Sequence, residues 1–92
     1  MTVTQFKHVI EVEKAGSINK AASNLFIAQS VLSNSIRSLE DELGRPIFIR
    51  TNRGSELTSF GKEFLSYIRP INMKIDQLIK RLQNNSRSNE LS

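Results

Sequence analysis

The chain contains no cysteine, and that absence removes both a disulfide framework and a thiolate metal site from the means of holding its 92 residues together. Stability must come from packing or from a partner subunit. The single histidine, His8, has no second imidazole and no thiol to complete a metal site, so it reads as a surface or half-buried side chain. It also stands among apolar neighbours, Val9 and Ile10, which is poor ground for the imidazole of a hydrolase triad. There is no glycine-rich phosphate loop, and Glu40, Asp41 and Glu42 read as a charged helix end rather than a catalytic carboxylate pair. Together these absences argue against an enzyme. No run approaches the roughly 18 apolar residues of a membrane span, and Met1 to Lys7 lacks the apolar stretch of a secretory signal. The expectation is a cytoplasmic protein with no membrane partner.

What is present suits one small domain: 38% of the residues are hydrophobic and 7% aromatic, enough for a compact core in a chain of this length. Thirteen Lys and Arg against nine Asp and Glu give a net charge of +4 and a pI near 9.9. Such a balance attracts polyanions at long range. Arg37, Arg45, Arg50 and Arg53 fall in the middle third, while the acidic cluster at Glu40 to Glu42 is expected to face away from phosphates.

Along the chain, Thr4 is expected to cap a first helix whose Phe6, Val9 and Ile10 share a face, with Gly16 closing it. Ser17 caps a second helix with a narrow apolar stripe at Ala21, Ala22 and Leu25. A third stripe, Leu32, Ile36, Leu39 and Leu43, is spaced i, i+4, i+7, i+11 and stops at Gly44-Arg45-Pro46. Only Phe26, Ile27 and Ala28 remain for the turn between the second and third helices. Helices joined by so short a turn cross steeply, and the outward face of the later one protrudes enough to enter a DNA major groove about 12 Å wide. That face carries Gln29, Ser30, Ser33, Asn34 and Arg37.

After Pro46 the pattern becomes extended. Ile47 to Arg50 favours a strand, Asn52-Arg53-Gly54 a turn, and Ser55 to Leu57 a short return strand. An isolated hairpin is marginal in water, so this one must dock on the helices through Ile47, Phe48 or Leu57. Docked there it forms a wing, with Arg53 at its tip and Arg50 behind, placed for the phosphate backbone or a minor groove. The plainer use of Arg53 is to solvate a turn.

From Thr58, a likewise capping residue, helix returns. Phe64, Ile68, Ile71, Ile75, Leu78 and Leu82 are spaced 4, 3, 4, 3, 4, an a/d register that fits packing against a second helix of the same kind. A homodimer supplies that helix; the alternative is a stripe that folds back on its own core. Pro70 is expected to kink or break the helix near Arg69 at about 3 kcal/mol, and Asn84 to Ser92 reads as a frayed end.

These elements, in this order, resemble the amino-terminal DNA-binding domain of the LysR-type transcriptional regulators. The resemblance runs from Thr4 to Leu82 and is carried by Gly16-Ser17-Ile18-Asn19-Lys20-Ala21-Ala22 and by Ala28-Gln29-Ser30-Val31-Leu32-Ser33. Ile36, Leu39-Glu40, Leu43-Gly44, Phe48, Arg50, Arg53, Leu57-Thr58 and Gly61 extend it. It implies a mainly α fold: a winged helix-turn-helix, with a three-helix core and two-stranded β-wing, over residues 1–58. A linker helix that forms the dimer follows over 59–84, and 85–92 is a flexible tail or the start of a linker to an absent effector domain. It implies double-stranded DNA as partner, with Gln29 reading bases, Ser30 and Ser33 touching base or backbone, and Arg53 serving the wing. Asn34, Arg37 and Arg50 complete the expected DNA set. Two departures stand out: Ser30 occupies a place where members commonly carry proline, and Asn34 one where many carry arginine. No cofactor is expected in this domain; a small-molecule effector belongs to the absent domain, and pairing of dimers into tetramers stays open for a full-length protein. A winged helix that binds protein rather than DNA is the rival, disfavoured by the polar exposed set, since protein interfaces centre on aromatic or aliphatic anchors.

Overall fold

In the computed structural model, which describes residues 1–91 and side chains as far as Asn84, the first helix, α1, spans Val3–Ala15. Its cap is Thr2, two residues before the expected Thr4. The reason is reciprocal: the Gln5 amide N–H donates to Thr2 Oγ1 at 3.1 Å while Gln5 Oε1 accepts the Thr2 N–H at 2.9 Å, a capping box that Thr4, followed three residues on by Lys7, cannot form. Gly16 closes α1 in the left-handed region at φ 81, as its sequence position suggests. Ser17 then caps α2 (Ile18–Leu25), its Oγ accepting the Lys20 N–H at 3.1 Å.

The turn is Phe26, Ile27 and Ala28, as expected, and α3 spans Gln29–Leu43. Phe26 is left-handed at φ 59 and 95% exposed, so the turn is closed by an aromatic residue that gains no burial from it. At the far end Gly44, at φ 75, stops α3.

The wing consists of β1 (Phe48–Thr51) and β2 (Gly54–Leu57), antiparallel, with Phe48 opposite Leu57 and Thr51 opposite Gly54. Ile47, expected in the strand, precedes it and is fully buried, which makes it the wing's main anchor. Phe48 and Leu57 pack against the same core. Thr58 caps α4 (Ser59–Leu91), accepting the Gly61 N–H at 2.9 Å.

Two expectations about α4 are corrected. The helix is not broken at Pro70: α4 runs through it, and because Pro70 and Ser66 are both exposed, the Ser66 carbonyl that proline leaves without a donor is open to solvent. The helix also continues past Asn84 to Leu91. The flexible tail expected over 85–92 therefore has helical backbone as far as it is described, Ser92 lying outside the described residues.

The core is built where all four helices meet: Val9 and Val12 of α1, Ala21 and Ala22 of α2, Leu32, Ile36 and Leu39 of α3, Ile47, and Leu65 and Ile68 of α4. The alanines at α2 let its backbone come close to its neighbours, and this sets α3 at the surface beside the wing.

Candidate nucleic-acid interface

A groove of about 480 Å³ runs between α3 and β1. Six of the seven side chains expected to meet DNA line it: Gln29, Ser30, Ser33, Asn34, Arg37 and Arg50. The seventh, Arg53, stands outside, exposed in the turn at the wing tip. The groove is polar on its helical side for a local reason. With Leu32, Ile36 and Leu39 turned into the core, Ser30, Ser33, Asn34 and Arg37, spaced three to four residues apart, share the adjoining face.

Within the set one bond is formed in the free protein. Gln29 Nε2 donates to Ser33 Oγ at 3.0 Å, one turn further along α3. Ser33 is half-buried, whereas Gln29, Ser30, Asn34 and Arg37 are exposed. The first turn of α3 has no side-chain cap, because Ala28 precedes it, and no acidic residue. The N–H groups of Val31 and Leu32 bond the Ala28 carbonyl at 3.1 and 3.2 Å, which leaves those of Gln29 and Ser30 for an anion.

Five of the acidic side chains are engaged by partners, whereas the arginines near the groove are in no ion pair among the described residues. Glu40 Oε2 accepts the backbone N–H of Ile47 at 2.6 Å and that of Phe48 at 3.3 Å. Glu42 pairs with the amino-terminal ammonium at 2.6 Å, Glu13 with Arg69 at 2.8 Å, and Asp76 with Lys7 at 2.8 Å. Glu11 accepts from Asn24 at 3.1 Å. Among the described residues, Arg37, Arg50 and Arg53 take part in no ion pair. One expectation changes here: Glu40 does not face away but lines the groove, held there by its two backbone donors.

The wing is fixed from three sides. Ser55 N–H donates to the Gly16 carbonyl at 3.0 Å, and Thr58 N–H to that of Ile47 at 3.0 Å. Thr58 Oγ1 donates to the Pro46 carbonyl at 2.7 Å. Gly54, at φ 115, lies so close to the Gly16 carbonyl that a Cβ would collide with it. At the tip, the Arg53 N–H donates to Thr51 Oγ1 at 3.1 Å. None of these supports was read from the sequence, although Gly54 and Thr58 were singled out for other reasons.

The six residues expected to form the dimer seam divide. Ile68 is 2% exposed within its own chain, and Phe64 packs edge-on against Phe6 with ring centres 6.1 Å apart. These two are spent on the intramolecular core, as is Leu65, which the sequence reading missed. Ile71, Leu78 and Leu82 remain exposed at 45%, 56% and 55%, with Ile75 half-buried. Exposed Tyr67 and Met73 join them on the surface of α4, also missed. His8 is half-buried between α1 and α3, its Nδ1 2.7 Å from Ser35 Oγ. Burial lowers its pKa from 6.5.

Comparison with known proteins bears directly on this arrangement. Residues 3–62 match the family described as bacterial regulatory helix-turn-helix protein, lysR family. The regulator IlvR of Caulobacter vibrioides is 38% identical over 78 residues, 85% of this chain and 26% of that protein. The regulator TfdT of Cupriavidus pinatubonensis is 37% identical over 90 residues, 98% of this chain and 36% of that one. The chain thus spans about a quarter to a third of the lengths of these relatives. Among solved structures, the CbnR DNA-binding domain in complex with DNA is 34% identical with a TM-score of 0.75, covering 96% of this chain and 97% of that one. The BenM DNA-binding domain bound to catB site 1 DNA is 30% identical with a TM-score of 0.86, covering 94% and 97%. These are regulators, not enzymes. By sequence over most of its length, and by a winged helix-turn-helix coextensive with the CbnR and BenM DNA-binding domains, the chain belongs to the LysR family of bacterial regulatory helix-turn-helix proteins.

Proposed function

We propose that the chain is a sequence-specific, double-stranded DNA-binding module of a transcription regulator, acting in the cytoplasm as a homodimer. The observation that carries this reading is the groove between α3 and β1, where Gln29, Ser30, Ser33 and Asn34 stand with Arg37 and Arg50, neither arginine in an ion pair among the described residues; Glu40 and apolar side chains of α2, α3 and β1 also line it. The similar domains of CbnR and BenM were solved as DNA complexes, which adds support from outside the chain.

In this reading α3 enters the major groove. Gln29 meets a base edge: its amide offers a donor and an acceptor side by side, the complement of adenine N6 and N7, and one such pair discriminates by about 1 to 3 kcal/mol. Asn34 has the same chemistry on a shorter stem. Arg37 and Arg50 neutralise phosphates along the groove wall, Ser30 adds a hydroxyl contact, and Arg53 reaches the backbone or minor groove from the wing. Ile71, Ile75, Leu78 and Leu82 pack against the same residues of a second copy. This holds two copies of α3 at a fixed separation, so each dimer reads two half-sites. Ligand sensing is not assigned to these residues.

Selection of bound duplexes from a random library by the purified chain tests the reading. It predicts enrichment of an interrupted dyad; recovery of unrelated sequences, with no shared half-site, would contradict it. The protein-binding alternative has candidate anchors in Phe26, which stands in the turn and lines no part of the groove, and in Val31 and Ile49, 53% and 50% exposed, of which Ile49 lines it among polar side chains.

A further inference from the structure

We propose that Ser33 is a positioning residue: its hydroxyl oxygen fixes the orientation of the Gln29 amide and thereby determines which base Gln29 selects. This rests on the reading that α3 enters the major groove. The two side chains sit at i and i+4, neighbours on one face of a helix. The 3.0 Å bond from Gln29 Nε2 to Ser33 Oγ exists before any ligand arrives. Gln29 is exposed and is the first residue of α3, so no packing restrains its amide. The hydroxyl supplies the restraint that packing does not.

The chemistry of the pinned amide follows from its atoms. One Nε2 hydrogen is engaged by Ser33, which leaves the second hydrogen and Oε1 for a ligand. A fixed donor beside a fixed acceptor complements adenine, which presents an acceptor at N7 and a donor at N6. It does not complement guanine, which presents acceptors at both N7 and O6. Released from Ser33, the amide rotates and can turn both N–H groups toward guanine. Ser33 itself is half-buried, while Gln29, Ser30, Asn34 and Arg37 on the same helix are exposed, so its geometry suits a support better than a direct contact.

The test uses the whole chain and the duplex enriched from the random library, with four versions differing at the base pair whose preference Gln29→Ala abolishes. Ser33→Ala is expected to lower discrimination among the four duplexes by about tenfold, mostly by admitting guanine. Ser33→Thr keeps a hydroxyl at the same place and restores discrimination. In the Gln29→Ala background, Ser33→Ala is expected to change nothing further. A Ser33→Ala loss of equal size in both backgrounds, or equal on all four duplexes, would overturn the proposal and make Ser33 an independent contact. If Gln29→Ala leaves preference intact at every position, base reading by Gln29 itself fails, and the positioning role falls with it.

Discussion

Glu40 Oε2 accepts the backbone N–H of Ile47 at 2.6 Å, joining the helix that carries the groove's polar face to the first residue of the wing's anchor. The same oxygen takes the Phe48 N–H at 3.3 Å. A carboxylate thus ties together the two elements that the proposed function places on DNA. Because Ile47 is fully buried, removing the acceptor strands a buried donor at about 1 to 3 kcal/mol. Glu40→Ala is expected to lower Tm by about 4 to 8 °C per kcal/mol lost, whereas Glu40→Gln, which keeps an acceptor oxygen, recovers most of it. Thermal unfolding followed by circular dichroism measures both; equal losses would assign Glu40 a purely electrostatic role.

Gly54 and Gly44 both adopt positive φ, at 115 and 75, but only Gly54 faces an obstacle, the Gly16 carbonyl. Gly44→Ala should cost about 1 to 2 kcal/mol, the ordinary penalty of a left-handed backbone with a Cβ. Gly54→Ala must also displace the wing from Gly16, adding about 1 to 3 kcal/mol for the overlap. Urea titration of the two variants compares them directly, and equal midpoints would mean the wing gives way freely.

His8 provides a pH prediction whose sign is fixed by burial. Desolvation lowers its folded pKa, so below 6.5 the unfolded chain takes up a proton more readily than the folded one. The stability tied to neutral His8 is therefore complete above 6.5 and falls as pH drops through 6.5 toward the lowered folded value. His8→Gln should flatten that part of the stability curve. The His8 ring has the Ser35 hydroxyl at 2.7 Å; of the charged residues beside it in α1, Lys7 pairs with Asp76 and Glu11 accepts from Asn24. Urea midpoints between about pH 7.5 and 5.5 provide the readout; a wild-type curve no steeper than that of His8→Gln would remove His8 as the cause.

Exposed and buried positions of α4 should respond differently to one substitution. Leu78→Asp leaves the fold intact, because Leu78 is 56% exposed, but places a charge on the proposed seam. With Leu78 only 56% exposed to begin with, losing its burial in both copies costs about 2 to 3 kcal/mol, some tens to a hundredfold in the dimer dissociation constant. Ile68→Asp, at a position 2% exposed, unfolds the chain instead. Sedimentation and circular dichroism separate the two outcomes; a Leu78→Asp chain that still sediments as the wild type would move the seam elsewhere.

How much of this was legible in the sequence depended on how local its causes are. Gly16, Ser17, Gly44 and Thr58 act on neighbours within a turn, and the helix boundaries they set were read correctly. The Thr2 cap is equally local, and Gln5, three residues after Thr2, is the signal that decides between it and Thr4. The α4 stripe was read with the right period, but a period does not say whose core a residue enters. Phe64 and Ile68 are covered by their own α1, which lies far away in sequence. The Lys7–Asp76 and Glu13–Arg69 ion pairs that fasten α1 to α4 have no local signature at all. For the groove, the facing of α3 was legible from its buried stripe, while Glu40 was seen only as a charge, because its partners are backbone groups beyond Gly44 and Pro46.

Titration of the chain against its selected duplex and a scrambled one, over a range of salt, tests the central claim most directly. If the dimer neutralises about eight phosphates, log K falls against log salt with a slope near −7, and Arg53→Ala makes it shallower by about 1 per subunit. The selected duplex binds more tightly than the scrambled one at every salt concentration. Equal affinity for both duplexes, or binding that does not weaken with salt, would contradict a DNA-reading function for the groove between α3 and the wing.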